Sequence, residues 1–171
     1  MSYRRFLLGA LAIAALTAFQ MPDAQGPAED RVGFPDIAGL TRIRTTAIER
    51  EAKTLTIYAN APAAAVMEPG QRPYPHGSVF VAEWREVLRD AAGAPLREGG
   101  EYRTGPVFRI DVMRKGPGFG AAYGTSRSGD WEYVSYAPDG SALTPANRSA
   151  SCAACHQNAA AERDFVFRGR F

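Results

Sequence analysis

Both cysteines of this 171-residue chain fall three positions apart near its end, in Ser-Ala-Ser-Cys152-Ala-Ala-Cys155-His156-Gln, and fifteen residues follow the histidine. A disulfide between them would close too small a loop to add much stability. A redox dithiol belongs at the start of a helix in a chain that alternates strands and helices, and that alternation is missing here. A structural zinc site needs four ligands, commonly two separated pairs. Only Cys152, Cys155, His156 and the distant His76 are offered, and adjacent Cys155 and His156 bend awkwardly toward one ion. The remaining reading uses every residue. Two thiols, two residues apart, add across the two vinyl groups of a porphyrin, and the histidine after the second is held under the iron as its proximal ligand. On that reading Cys152 and Cys155 bind one covalent haem c and His156 is the metal ligand.

The N-terminus agrees in compartment. Arg4 and Arg5 precede an apolar run from Phe6 to Phe19, and polar Gln20–Asp30 follows. That is the order of an export signal, expected over residues 1–24 with cleavage after Ala18 or Ala24. The apolar run is short for a spanning helix, which needs about 20 residues. Covalent haem attachment occurs outside the cytoplasm, so the two features support one another and place the mature protein in the periplasm. Residues 25–171 suffice for one domain with a real core. A net charge of +2, with basic residues scattered among acids, gives no nucleic-acid footprint.

Within 25–171, Gly and Pro turns separate short apolar or alternating runs. The stretch TRIRTTAIEREAKTLTIYAN reads as a helical turn leading to a strand, with Leu55 and Ile57 alternating against Thr54 and Thr56. APAAAVMEPG reads as one or two helical turns. A turn and then a strand fit RPYPHGSVFVAEWREVL, and AAGAPLREGGEYRTG reads as loop. In PVFRIDVMRKG, Phe108, Ile110 and Val112 share one face, and Arg109, Asp111 and Met113 the other. WEYVSYAPDG is another strand, SASCAACHQNAAAERDF is helical, and FVFRGRF is placed to close the sheet. Successive strands without long crossover helices predict an α+β fold: a mainly antiparallel sheet with a few packed helices and a C-terminal haem-attachment helix.

The blocks IYAN, YPHGSVFVAEW, VFRIDVMRKG, WEYVSYAPDG and CAACH…DFVF, in that order over residues 50–168, resemble the cytochrome P-460 family and its cytochrome c′-beta relatives. The resemblance implies an antiparallel sheet with the haem wedged against it, commonly in a homodimer. It also implies one of two chemistries. In the enzymes a lysine bonded to the porphyrin accompanies hydroxylamine oxidation, with electrons passed to a redox-partner cytochrome. In the c′-beta relatives that bond is missing and five-coordinate iron binds nitric oxide or carbon monoxide. The lysine's place falls at or near Ala82, and the only lysines are Lys53 and Lys115.

No methionine follows His156, so a sixth protein ligand has to come from Met67, His76 or Met113. An open sixth position with nitric oxide or a related small nitrogen species as ligand is the expectation. Hydroxylamine oxidation and simple electron transfer are the alternatives. Residues considered for the distal side are Arg44, Phe80, Glu83, Phe108, Asp111 and Glu132. Acids among them would serve a general base, and the aromatics would make a dry pocket.

Overall fold

The computed structural model describes residues 29–66, 73–144 and 148–167; the expected export segment 1–24 and Met67 lie outside them. Seven strands and two helices follow in order: β1 Thr41–Ile48, β2 Lys53–Ala59, α1 Ala61–Ala64, β3 Val79–Val87, β4 Arg97–Glu98, β5 Glu101–Tyr102, β6 Thr104–Lys115, β7 Trp131–Tyr136 and α2 Ala150–Gln157. Five strands form one sheet in the order β1-β2-β3-β6-β7, every neighbouring pair antiparallel. The fold is α+β and mainly antiparallel, as the turn-separated runs predict.

Side chains alternate between the faces of a strand, and here both faces are covered. One face carries Val79, Val81, Ile110, Val112, Val134 and Tyr136, packed with Val32 from the segment before β1. The other carries Ala59, Phe80, Met113, Trp131 and Tyr133, packed with Ala63 of α1 and Ala153 of α2. Double coverage explains why Met113 is buried although its neighbours Asp111 and Lys115 look polar. The alternation in β6 reads its period correctly, but the second face is a second core rather than a wet surface.

Local chemistry sets the corners. Asn60 caps α1 by accepting from the Ala63 amide, accepts again from the Val79 amide, and donates to the Gly77 carbonyl. One side chain thus ties the end of β2 to the start of β3. Gly120 has φ +70°, and a Cβ there would meet the Trp131 carbonyl oxygen at 2.6 Å.

Three expectations are corrected. Thr41–Ile48 is a full strand with only Glu49–Glu51 turned as a 3-10 helix; its threonines and branched residues favour extension more than the charges suggest. The expected loop before β6 contains the β4–β5 ribbon, paired through Arg97–Tyr102 and Glu98–Glu101. The terminal FVF does not join the sheet: no strand occurs in the described residues after β7, and this segment instead lies against the β1–β2 and α2 side through Arg44 and His156.

Replacing Gly120 by alanine is expected to destabilise the fold by about 2 kcal/mol, from the left-handed backbone and the carbonyl contact together. Urea denaturation of the Gly120→Ala variant measures it; an unchanged midpoint would contradict the close approach.

Candidate functional site

Helix α2 is built from residues that favour helix and pack closely. Ala150, Ala153 and Ala154 carry little side-chain entropy cost, and Ala153 is fully buried against the sheet. At its far end Gln157 Nε2 donates to the carbonyls of Thr125 (2.9 Å) and Arg127 (3.1 Å), fastening the helix to the loop before β7. Cys152 is half-buried, Cys155 is exposed, and the two are not joined. Burial raises the Cys152 thiol pKa, with Asp111 adding to the rise. A redox dithiol depends on a depressed thiol, so the Cys152 environment is the wrong one for that chemistry. His76 pairs with Asp130 (3.3 Å) and not with the cysteines, which removes the one distant ligand available to a zinc site.

The His156 ring is held on three sides. Tyr133 and Phe167 lie against it, with ring centroids at 4.9 and 5.2 Å. Its Nδ1 is 2.8 Å from the Phe165 carbonyl oxygen. A carbonyl only accepts, so Nδ1 carries the proton and Nε2 keeps its lone pair. Burial lowers the imidazole pKa, against the smaller opposing effects of that carbonyl and Asp111. A neutral imidazole with a free Nε2 lone pair is the form that ligates a metal.

Beside α2, the sheet presents a lateral row: Ile57 pairs with Ala82, Ala82 with Asp111, and Asp111 with Ser135. The row below it is Leu55, Trp84 and Arg109. Ile57, Ala82, Trp84, Arg109 and Asp111 are only half-buried, whereas the next row, Ala59, Phe80, Met113 and Tyr133, is closed. The result is a shallow trough in the sheet face beside α2. Asp111 is its polar centre, accepting from Trp84 Nε1 (2.7 Å) and Ser135 Oγ (2.5 Å) and pairing with Arg109 (3.2 Å). The Arg109 guanidinium lies over the Trp84 ring at 4.5 Å, and its buried Nε has no partner. Free thiols, a presented imidazole nitrogen, a half-covered apolar floor and a cation with an unused donor are a donor set that fits a porphyrin with its acidic side chains.

Of the distal-side residues considered from sequence, Asp111 and Phe80 face α2. Glu83 and Glu132 point to the opposite face, where they pair with Arg85 and Arg31. Arg44 reaches the Phe167 carbonyl (3.4 Å), and Phe108 lies under Lys53 at a bulge in the β3–β6 register. The sequence reading missed Phe165 and its αL neighbour Asp164. The only hint was Lys115, one of two lysines in the chain, at the end of strand β6, and that lysine binds Asp164.

A sheet carrying a C-terminal CxxCH helix over a half-open trough defines a cytochrome-like haem protein. The Cytochrome P460 family model matches residues 39–168, and the chain belongs to that family. Membership makes it a haem-binding cytochrome of this type. A search of curated proteins finds no match.

Removing the Gln157 side chain (Gln157→Ala) is expected to cost about 1 kcal/mol, the usual net worth of such bonds, and to loosen α2. Amide hydrogen exchange at Ala154–Asn158 should quicken; unaltered exchange would show that the two carbonyl contacts do not hold the helix.

Proposed function

We propose that the protein is an exported cytochrome with one covalent haem c, attached through Cys152 and Cys155 and ligated by His156 Nε2. Its sixth position is open to nitric oxide or a related small nitrogen species. The observation that carries this reading is the fixed His156 tautomer beside the trough, with both candidate sixth ligands among the described residues engaged elsewhere. Met113 is buried in the core with Phe80 and Tyr133, and His76 is bound to Asp130. Periplasmic location follows from the N-terminal signal pattern and from where thioether attachment takes place. Self-association and a redox-partner cytochrome belong to the same reading through the family resemblance.

The lysine positions favour ligand binding over hydroxylamine oxidation. Ala82 stands at the centre of the trough floor, where the resemblance puts the cross-linking lysine. Lys53 lies two same-face positions from Ile57, about 13 Å along the strand, beside Glu51 and Phe108. Lys115 is committed to Asp164. When bound, the haem supplies an iron that takes a diatomic ligand reversibly. The chain's part is to present Nε2, to keep Nδ1 protonated toward Phe165, and to face the ligand with Ala82 and Asp111. Asp111 is the observation that favours the enzymatic alternative, since an acid on this face could accept a proton from hydroxylamine. Its two donors and Arg109 already occupy much of its accepting capacity, which leaves little of it free to meet hydroxylamine.

The ferrous protein, purified from cells that attach haem c, should show high-spin bands that shift on adding nitric oxide, and a Soret band without the red shift of a lysine-modified porphyrin. Six-coordinate bands indifferent to nitric oxide and carbon monoxide would refute the open site; a red-shifted Soret with hydroxylamine turnover would favour the enzyme. Cys152→Ser or Cys155→Ser should leave haem held by one thioether, and the double variant should lose covalent haem by intact mass.

A further inference from the structure

We propose that the buried Lys115–Asp164 ion pair is a positioning strut for the axial imidazole, fixing the backbone carbonyl that receives the His156 Nδ1 proton in a hydrogen bond. The inference rests on His156 as the iron's ligand. Asp164 and Phe165 are consecutive non-glycine residues in left-handed backbone, with φ +53° and +59°, and Ala160, just before them, has φ +67°. Such a run persists only where its surroundings over-determine it. Here they do. Asp164 Oδ2 accepts from Lys115 Nζ at 2.6 Å and from the Tyr74 amide at 2.9 Å. Its main-chain oxygen accepts from Trp131 Nε1 at 2.9 Å, and the Phe165 amide donates to the Ala160 carbonyl at 3.0 Å.

Three donors from the sheet end and the Tyr74 segment therefore grip the residue before Phe165. The next carbonyl in the chain is the one that meets His156. Both charged side chains are about nine-tenths covered, with 10% and 11% exposed. A buried pair loses much of its Coulomb gain to desolvation, so stability alone is a weak reason for it here. Position is the stronger one. A carbonyl held on Nδ1–H makes the imidazole a better electron donor to iron and so favours the ferric state. Slackening the strut weakens that bond and makes the iron easier to reduce.

The test is the haem midpoint potential of the holoprotein in Lys115→Met, Asp164→Asn and Trp131→Phe, with exposed Glu162→Gln as the control. The strut predicts that the first three raise the potential, each by at least the equivalent of a threefold change in the reduction equilibrium, while intact mass shows haem still attached and the control stays at the wild-type value. Field effects without positioning predict otherwise: loss of the Lys115 cation lowers the potential, and Trp131→Phe, which changes no charge, leaves it alone. A lowered Lys115→Met potential with an unmoved Trp131→Phe potential overturns the proposal. So does a set of unmoved potentials accompanied by reduced thermal stability, which would make the pair structural only. Should Lys115→Met fail to accumulate, Trp131→Phe decides by itself. The potential reads five- and six-coordinate iron alike, so wild type lacking a nitric oxide response would refute the open site and leave this inference standing. A His156→Ala variant with an unaltered spectrum would remove the axial assignment and the strut with it.

Discussion

The hydrogen bond between His156 Nδ1 and the Phe165 carbonyl joins helix α2 to the segment that follows it. Eight residues lie between donor and acceptor positions, and over them the chain leaves α2, passes through the 3-10 turn Ala161–Arg163, and reverses in left-handed backbone to return beneath the same imidazole. That loop is not self-supporting. Its conformation depends on Trp131 at the start of β7 and Lys115 at the end of β6, which are paired neighbours in the sheet. The orientation of the candidate axial ligand is thus set by a strand register, and the strand register is set by two apolar cores.

This dependence explains why the sheet is closed on both faces at one end and open at the other. The row Ala59–Phe80–Met113–Tyr133 packs against α1 and α2, and the aromatic edges of Tyr74, Phe80 and Trp131 meet at 5.1 to 6.0 Å. Edge-to-face contacts of this kind add direction to hydrophobic packing, which suits a wall that has to hold the imidazole rather than merely fill space. One row away, Ile57, Ala82 and Asp111 have no helix above them. Burial stops there because α2 is only eight residues long and sits over β7.

Much of this was legible in sequence. The CxxCH spacing, the alternation in β3, β6 and β7, and the turn signals between them carry the fold class and the candidate anchors, because period and spacing are local properties. Two kinds of fact were not local. One was the face on which each acid lies: Glu83 and Glu132 alternate as plausibly as Asp111, and only the identity of the inward face, decided by packing with Val32 and its neighbours, separates them. The other was the terminal DFVF. Its β-branched and aromatic content reads as strand, but Lys115, Tyr74 and Trp131 claim Asp164 first, and a residue pinned in left-handed backbone cannot continue a sheet. Thr41–Ile48 failed in the opposite direction, since the charges of Glu49–Glu51 extend a helical pattern over what pairing with β2 makes a strand.

Ala82 and Asp111 are direct partners across β3 and β6, and their pairing limits the chemistry of the trough. A lysine at position 82 would stand opposite the Asp111 carboxylate, and the two would neutralise one another unless a third group, such as a porphyrin edge, took the amine. With alanine there, Asp111 instead gathers Trp84, Ser135 and Arg109 around itself. Each of those groups takes up accepting capacity on the carboxylate and fixes its orientation on the sheet. The same cluster sets a carboxylate and a guanidinium side by side next to Ala82. The residue at position 82 therefore bears directly on how the Asp111 carboxylate is satisfied.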